Sequence, residues 1–471
     1  MQASLKSLLR KYGLVIALSA LALRAAAGVD RQTAQAQTPG WTQPQLIFEG
    51  RGIISAPSLI ADTFGRVHAF WIFQADNQGD HPQQQIYYTR LDQPTWLAND
   101  IFVSPATATS LKSAISRTGL ALLWGGNLFA TAGLSPGASA QDWSGPSNFE
   151  KVYPEAGLSV DPAGALWAIY SATGTNEIFV QRRNPDSGVW EAPRLVGDPV
   201  NPSAAPDGTR LAISSDGTMH AVWAEYQLPN GWPPIGLYYA QSTDGGITWS
   251  GRHKIASSNF NQPNVIVGQG AQVYVAWTGV AGVGLKYFEA SDDEGRTWQD
   301  AQIVEDHLGG GSEGAPNLAV DADGNVHMVF SHNGCVWHAV RENSVWSSPE
   351  CVSAGAATNA HIESPAMALG LGNQLHVIFW TDNRQLWYTK LTLGITGQTP
   401  LPTPTFALPT ATAAPAATIT PQPSQTPLPD YGPPARPETA TEPGLWALAA
   451  GIVPVVLLTL IVAVFRRPFR R

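Results

Sequence analysis

The stretch STDGGITW, Ser242–Trp249, returns 49 residues later as SDDEGRTW, Ser291–Trp298. Both copies fit Ser-x-Asp-x-Gly-x-Thr-Trp. The glycine permits a backbone turn that other residues resist. The carboxylate accepts bonds from turn N–H groups, and the hydroxyls extend that network. The tryptophan then buries apolar surface beside a neighbouring strand. On this chemistry Ser242, Asp244, Gly246 and Trp249 are scaffold, as are Ser291, Asp293, Gly295 and Trp298. A calcium loop needs more oxygen ligands at fixed spacing than either octet supplies. DADGN (Asp321–Asn325) looks calcium-like, yet DTFGR, DPAGA and SDGT occupy the same turn elsewhere. No metal and no cofactor are expected.

Working outward, a Trp opens a strand-like phrase at Trp41, Trp96, Trp143, Trp190, Trp249, Trp298 and Trp346, at intervals of 55, 47, 47, 59, 49 and 48 residues. A second phrase repeats with the same period: an apolar run, a Gly turn and another apolar run. SLIADTFGRVHAFW, LAISSDGTMHAVW and LAVDADGNVHMVF are three copies, and LKSAISRTGLALLW is a weaker one. Alternating, β-branched and aromatic residues make each unit four short strands. Four strands per unit of about fifty residues is the pattern of a propeller blade. The all-β prediction is a seven-bladed β-propeller over 41–393, with six blades as the alternative. The last unit ends at Gln385–Leu391 without a Trp-led strand, so Trp41–Glu49 is predicted to close it. His68, His220, His327 and His376 share one repeat position with Trp167 and Tyr274. That interchange suits packing.

The two octets resemble the Asp-box, or bacterial neuraminidase repeat, of sialidase-type propellers, and NPDSGVW (Asn184–Trp190) is a degenerate form. The resemblance implies a propeller scaffold over roughly 41–393. An active sialidase would use an arginine triad, a Tyr/Glu nucleophile pair and an Asp acid/base. The first arginine belongs in a Phe/Tyr-Arg-Ile-Pro phrase opening the first blade. Here that phrase is Ile54-Ser55-Ala56-Pro57, with Ser55 in the arginine's place. A hydroxyl does not replace bidentate guanidinium recognition.

If the octets occupy one face, the loops on the other hold Asp76, Glu155, Asp207, Glu225, Tyr226, Trp232, Glu313, His332, His361, Glu363 and Asp382, with Arg384 the nearby arginine. From these, Asp76, Glu225, Tyr226, Trp232, His332, Glu363 and Asp382 form the expected ligand mouth. Glu225, Tyr226 and Asp76 are the catalytic candidates. The expected function is a binding or scaffold module for a glycan or an extracellular protein. The alternative is an exo-acting glycoside hydrolase, which needs two carboxyl groups suitably spaced.

Charged residues make up 13% of the 471 residues, and the formal charge of -9 argues against a nucleic-acid partner. Residues 1–36 read as a secretory signal: Lys6, Arg10 and Lys11 precede the apolar Tyr12–Leu23, with cleavage after Ala27 or Ala36. Gly394–Gly444, rich in Pro, Thr and Ala, reads as an extended stalk. Leu445–Phe465 is 21 residues without a charge, a predicted transmembrane helix, and the basic 466–471 marks the cytoplasmic side. The expected location is the cell membrane, single-pass, with the head outside. The two cysteines, Cys335 and Cys351, fall on adjacent strands of the sixth unit. A hairpin turning near Asn343 would set them opposite one another, and an oxidising compartment favours a disulfide.

Overall fold

The computed structural model describes residues 40–393, apart from 63, 77–82, 94–95, 97, 105–107, 126–127, 134–139, 150–151, 230, 232, 259, 280–283, 306–311, 357–361, 372 and 383. The predicted signal, stalk, membrane span and tail lie outside these residues. No helix among the described residues is long and apolar enough to cross a membrane.

Seven antiparallel sheets follow one another along the chain. Their innermost strands are Gly52–Ala61, Leu111–Ser116, Val152–Val160, Ala204–Ile213, Phe260–Val267, Ser312–Val320 and Ile362–Gly370, here blades 1 to 7. Each is followed outward by two to four further strands. In blade 4 these are Met219–Gln227, Pro234–Ser242 and His253–Ala256. Blade 7 supplies three strands from its own stretch, and Gln45–Glu49 pairs antiparallel with Gln385–Thr392 as its fourth. Trp41 adds a bridge to Leu391. Seven blades and N-terminal closure are therefore the observed arrangement, and the six-bladed alternative is set aside.

Alternation along the strands dictates where the core sits. The second strand of each blade carries one large aromatic at the same register: Trp71, Trp124, Tyr170, Trp223, Trp277, Phe330 and Phe379, all nearly or fully buried. Seven apolar clusters result, each shared by two adjacent blades. One joins Trp71 of blade 1 to Ile378 and Tyr388 of blade 7, and another joins Phe330 of blade 6 to Phe288 of blade 5.

The Trp-led phrases rivet neighbours together. Trp96 packs edge-on to Tyr388 at 5.4 Å between ring centroids, Trp190 to Phe129 at 5.2 Å, Trp298 to Tyr239 at 4.9 Å and Trp346 to Phe288 at 5.0 Å. In each pair the tryptophan comes from one blade and its partner from the third strand of the blade before. Offset and edge-on aromatic contacts add attraction beyond area burial.

The octets close hairpins as their chemistry requires. Asp244 Oδ1 accepts from Thr248 N at 2.9 Å and from Ser242 Oγ at 2.8 Å, while Gly246 N donates to Ser242 Oγ at 2.9 Å. The second copy repeats this: Asp293 Oδ1 accepts from Thr297 N at 2.8 Å, and Gly295 N donates to Ser291 Oγ at 2.8 Å. Hydrogen bonds from Thr248 hold the Asp244 carboxyl down at about 2, and those from Thr297 do the same for Asp293. The DADGN turn works alike, with Asp321 Oδ1 accepting from Asp323 N and Asn325 N at 2.9 and 2.8 Å.

Cys335 and Cys351 are joined in a disulfide with Cα atoms 5.9 Å apart. The register behind it differs from the simple hairpin. Asn343 and Ser344, both at positive φ, make the turn, but the strand shifts beyond Trp346 so that Cys351 faces Trp337. Cys335 therefore reaches its partner on the diagonal, at a Cα spacing ordinary for a disulfide.

A Cβ on Gly295, at φ +82, would sit 1.8 Å from Tyr239 Oη. Gly295→Ala should cost about 3 kcal/mol through overpacking and strain. Gly251→Ala, with open space around the new atom, should stay within about 0.5 kcal/mol of wild type. Urea unfolding of the two variants checks this.

Candidate functional site

Inner strands that bulge build the site. In six blades the pairing between first and second strands slips at the same level: between Ser55 and Ser58, Tyr153 and Ala156, Asp207 and Arg210, Asn261 and Asn264, Glu313 and Asn317, and Glu363 and Ala366. Blade 2 alone pairs without a slip. Pro57, Pro154, Pro263, Pro316 and Pro365 sit inside five of these bulges, where a missing N–H costs no ladder bond. Ala56, Gly208, Gln262 and Gly314 take positive φ at the slip. The bulges turn the backbone toward the axis on the face opposite the octets.

They open a cavity of about 470 Å³ at the end of the central channel. Among its described lining are Ser55, Ser58, Thr109, Ser110, Gln262, Asn264, Asn317 and Trp380, with Lys112 and Arg210 as the only charged side chains. One register position runs around the ring. It is the residue opposite Phe70, Leu123, Ile169, Val222, Ala276, Val329 or Ile378, which gives Ser58, Lys112, Gly157, Arg210, Asn264, Asn317 and Ala366.

The two cations flank Gly157. A Cβ there would meet Thr209 O and Ile169 Cγ2, each at 2.9 Å, so glycine lets blade 4 close on blade 3. Neighbouring blades are also stitched at this level. Ser58 Oγ lies 2.7 Å from Ser113 Oγ, Asn264 Nδ2 donates to Pro316 O at 3.0 Å, and Asn317 Nδ2 donates to Pro365 O at 2.6 Å. Arg210 Nη1 donates to Thr209 O at 2.9 Å. The arrangement offers hydrogen-bond donors, an aromatic face and positive charge.

Most of the residues expected at the mouth lie elsewhere. Glu225 is fully buried and accepts from Val200 N (2.7 Å), Trp223 Nε1 (2.9 Å) and Arg252 Nη1 (2.9 Å). It is spent on scaffold. Tyr226 is partly buried, and burial with the nearby Asp207 pushes its hydroxyl up to about 12, against a hydrogen bond from Asn261. Asp76 pairs with Arg384 across the junction of blades 1 and 7. His332 is buried, and its carbonyl accepts from Trp337 Nε1 at 2.9 Å. Asp207 bonds to Gly208 N, while Asp382 is exposed. Trp232 and His361, and the side chains of Glu155, Glu313 and Glu363, lie outside the described residues.

None of the seven predicted mouth residues is among the described cavity lining. The cavity is made by strand bulges rather than by the loops that carry those residues. Its sequence signal was the proline repeating near the start of most inner strands, in ISAPS, NQPNV, EGAPN and ESPAM.

The repeat-position histidines are packing residues. His68, His220 and His376 set Nδ1 against Tyr88, Tyr239 and Tyr388 hydroxyls at 2.9, 2.8 and 2.7 Å. Burial pushes His220 and His376 down to about 4. Glu289 is pushed up to about 7 by burial and the charge of Asp300, but it lies off the cavity.

The fold is a seven-bladed β-propeller whose hairpins carry the two octets. Residues 164–373 match the family described as BNR repeat-like domain. No match was found among the curated proteins. Similar solved structures include a protein of unknown function from Dyadobacter fermentans, at 12% identity and TM-score 0.47 over 76% of this chain and 100% of that one. The NanB sialidase of Streptococcus pneumoniae is 12% identical, with TM-score 0.44 over 75% and 71% of the two chains. An alpha-L-arabinanase from Penicillium chrysogenum is 13% identical, with TM-score 0.41 over 75% and 99%. No residue role is carried over from them.

Glu225→Gln removes the charge that Arg252 pairs with while keeping the shape. We expect a loss of about 2 kcal/mol in unfolding free energy and a folded head, measured by urea titration with tryptophan fluorescence.

Proposed function

We propose that the head is a non-hydrolytic glycan-binding module. Its site is the channel-end cavity, and its ligand presents an anionic group to Lys112 and Arg210. The observation that carries this reading is the lining itself: hydroxyls and amides, Trp380, two cations, and no carboxyl group among the described lining residues. Sugar hydroxyls match amide and hydroxyl partners, an aromatic ring stacks on a pyranose face, and guanidinium and ammonium groups favour an anion. Glycoside hydrolysis asks for two carboxyl groups around one bond, and Ser55 stands where the family's first arginine would be.

A glycan array probed with the full-length chain tests this, with affinities measured on the hits. We expect acidic glycans to be retained over their neutral counterparts, with Arg210→Ala and Lys112→Ala each weakening binding about 10-fold or more. Retention of neutral glycans only, or variants that bind as wild type, would overturn the site. Turnover of a fluorogenic glycoside that Glu225→Gln abolishes would replace binding by hydrolysis.

The same proposal places the head outside the cell on a stalk, held by Leu445–Phe465 with the basic tail inside. Deleting Leu445–Arg471 should move the protein from the membrane pellet to the soluble fraction. Continued pelleting would count against the anchor.

A further inference from the structure

Blade 6 breaks the pattern of its neighbours. In blades 1, 4 and 7 a histidine on the second strand meets a tyrosine on the third. A hydroxyl donates or accepts as required, so it satisfies either tautomer. In blade 6 the tyrosine position holds a second histidine. His327 Nδ1 lies 3.0 Å from His338 Nε2, with the rings stacked at 5.3 Å. The outer nitrogens are engaged too: His327 Nε2 faces Asp321 Oδ2 at 3.3 Å, and His338 Nδ1 faces Glu350 Oε1 at 3.1 Å.

Hydrogens can be counted along this chain. Three contacts join four groups, and each needs one hydrogen between its heavy atoms. Two neutral imidazoles bring two. A third must be shared, or two lone pairs face each other across 3.0 Å in a buried site. Asp321 is not its home, because hydrogen bonds from His327 and Asn325 outweigh burial and hold that carboxyl low.

We propose that the Asp321–His327–His338–Glu350 chain keeps one imidazolium between two carboxylates and acts as a proton-dependent clasp on the closing strand. The clasp reaches that strand through Trp41. Its Nε1 donates to Glu350 Oε1 at 2.6 Å, the same oxygen that faces His338, and its ring sits edge-on to His338 at 5.2 Å. Loss of the third hydrogen breaks one of the three contacts and loosens the seat on which Trp41 rests. Within the chain, Glu350 favours charge on His338 and His327 opposes it. Arg341, on the same strand as His338, points away over the Phe288 ring. Burial and the charge of His327 lower His338 overall, with Glu350 opposing them. Two carboxylates and the hydrogen count decide for the cation.

The sign follows. An unfolded histidine gives up its proton near pH 6.5. A clasp that needs the shared proton is fully stabilising while that proton is bound, and its contribution fades as pH rises and the proton leaves. His220 and His376 act oppositely, because their lowered values withdraw stability as pH falls from 6.5 toward 4.

The test is thermal unfolding of the full-length chain from pH 4 to 9, beside His338→Tyr, which installs the pair used in blades 1, 4 and 7. We expect the wild-type Tm to drop by about 3 °C between pH 6 and 9, and His338→Tyr to stay level there while keeping the acid-side fall. Imidazole nitrogen NMR on wild type should show one shared imidazolium at pH 6, a readout that does not depend on the variant folding. Two neutral rings at pH 6, or equal alkaline slopes in the two proteins, would overturn the clasp.

Discussion

Each blade presents two apolar faces, and neither is buried until a neighbour stands on it. Six neighbours come free from chain order; the seventh requires the ends of the propeller to meet. Antiparallel pairing of Gln45–Glu49 with Gln385–Thr392 supplies that meeting and completes the cluster between blades 7 and 1. Everything else depends on it. The channel exists because the ring is shut, and the cavity exists because six bulged strands are held at one radius.

The Trp rivets show how the repeat solves the same problem locally. Each tryptophan leaves its own sheet's outer edge and seats on the third strand of the preceding blade, so outermost and middle strands of different blades share one core. Trp41 does this for the closing strand, with His338 as its aromatic seat. Scaffold and closure thus use one device.

The repeat itself was legible in the sequence, since a buried aromatic at constant register leaves a constant interval even where loops vary. Closure was legible for the same reason: Trp41 was one phrase too many at the start and the last unit one phrase too few at the end. The cavity was not. A bulge shifts register without changing composition, so counting from strand starts does not align Lys112, which lies in an unbulged strand, with Arg210, which follows a slip. Glu225 illustrates the converse. Beside Tyr226 it has the residue types of a catalytic pair, but strand alternation turns it into the blade, where Arg252 and Trp223 claim it. The cysteines fall between these cases, because the turn at Asn343 was readable and the one-residue drift beyond it was not.

Gly40 and Leu393 both flank the last sheet, and Trp41 bridges Leu391. The backbone of the propeller is therefore a circle cut at one place, with the cut faces touching. Topologically nothing distinguishes that position from the hairpin tips of the other six blades. A peptide linker joining the present ends and a new break in another exposed tip would give a circular permutant with the same pairings, the same channel and the same order of residues around it. The ends of the propeller would then lie on a different blade, so which blade carries them is a matter of where the circle is opened.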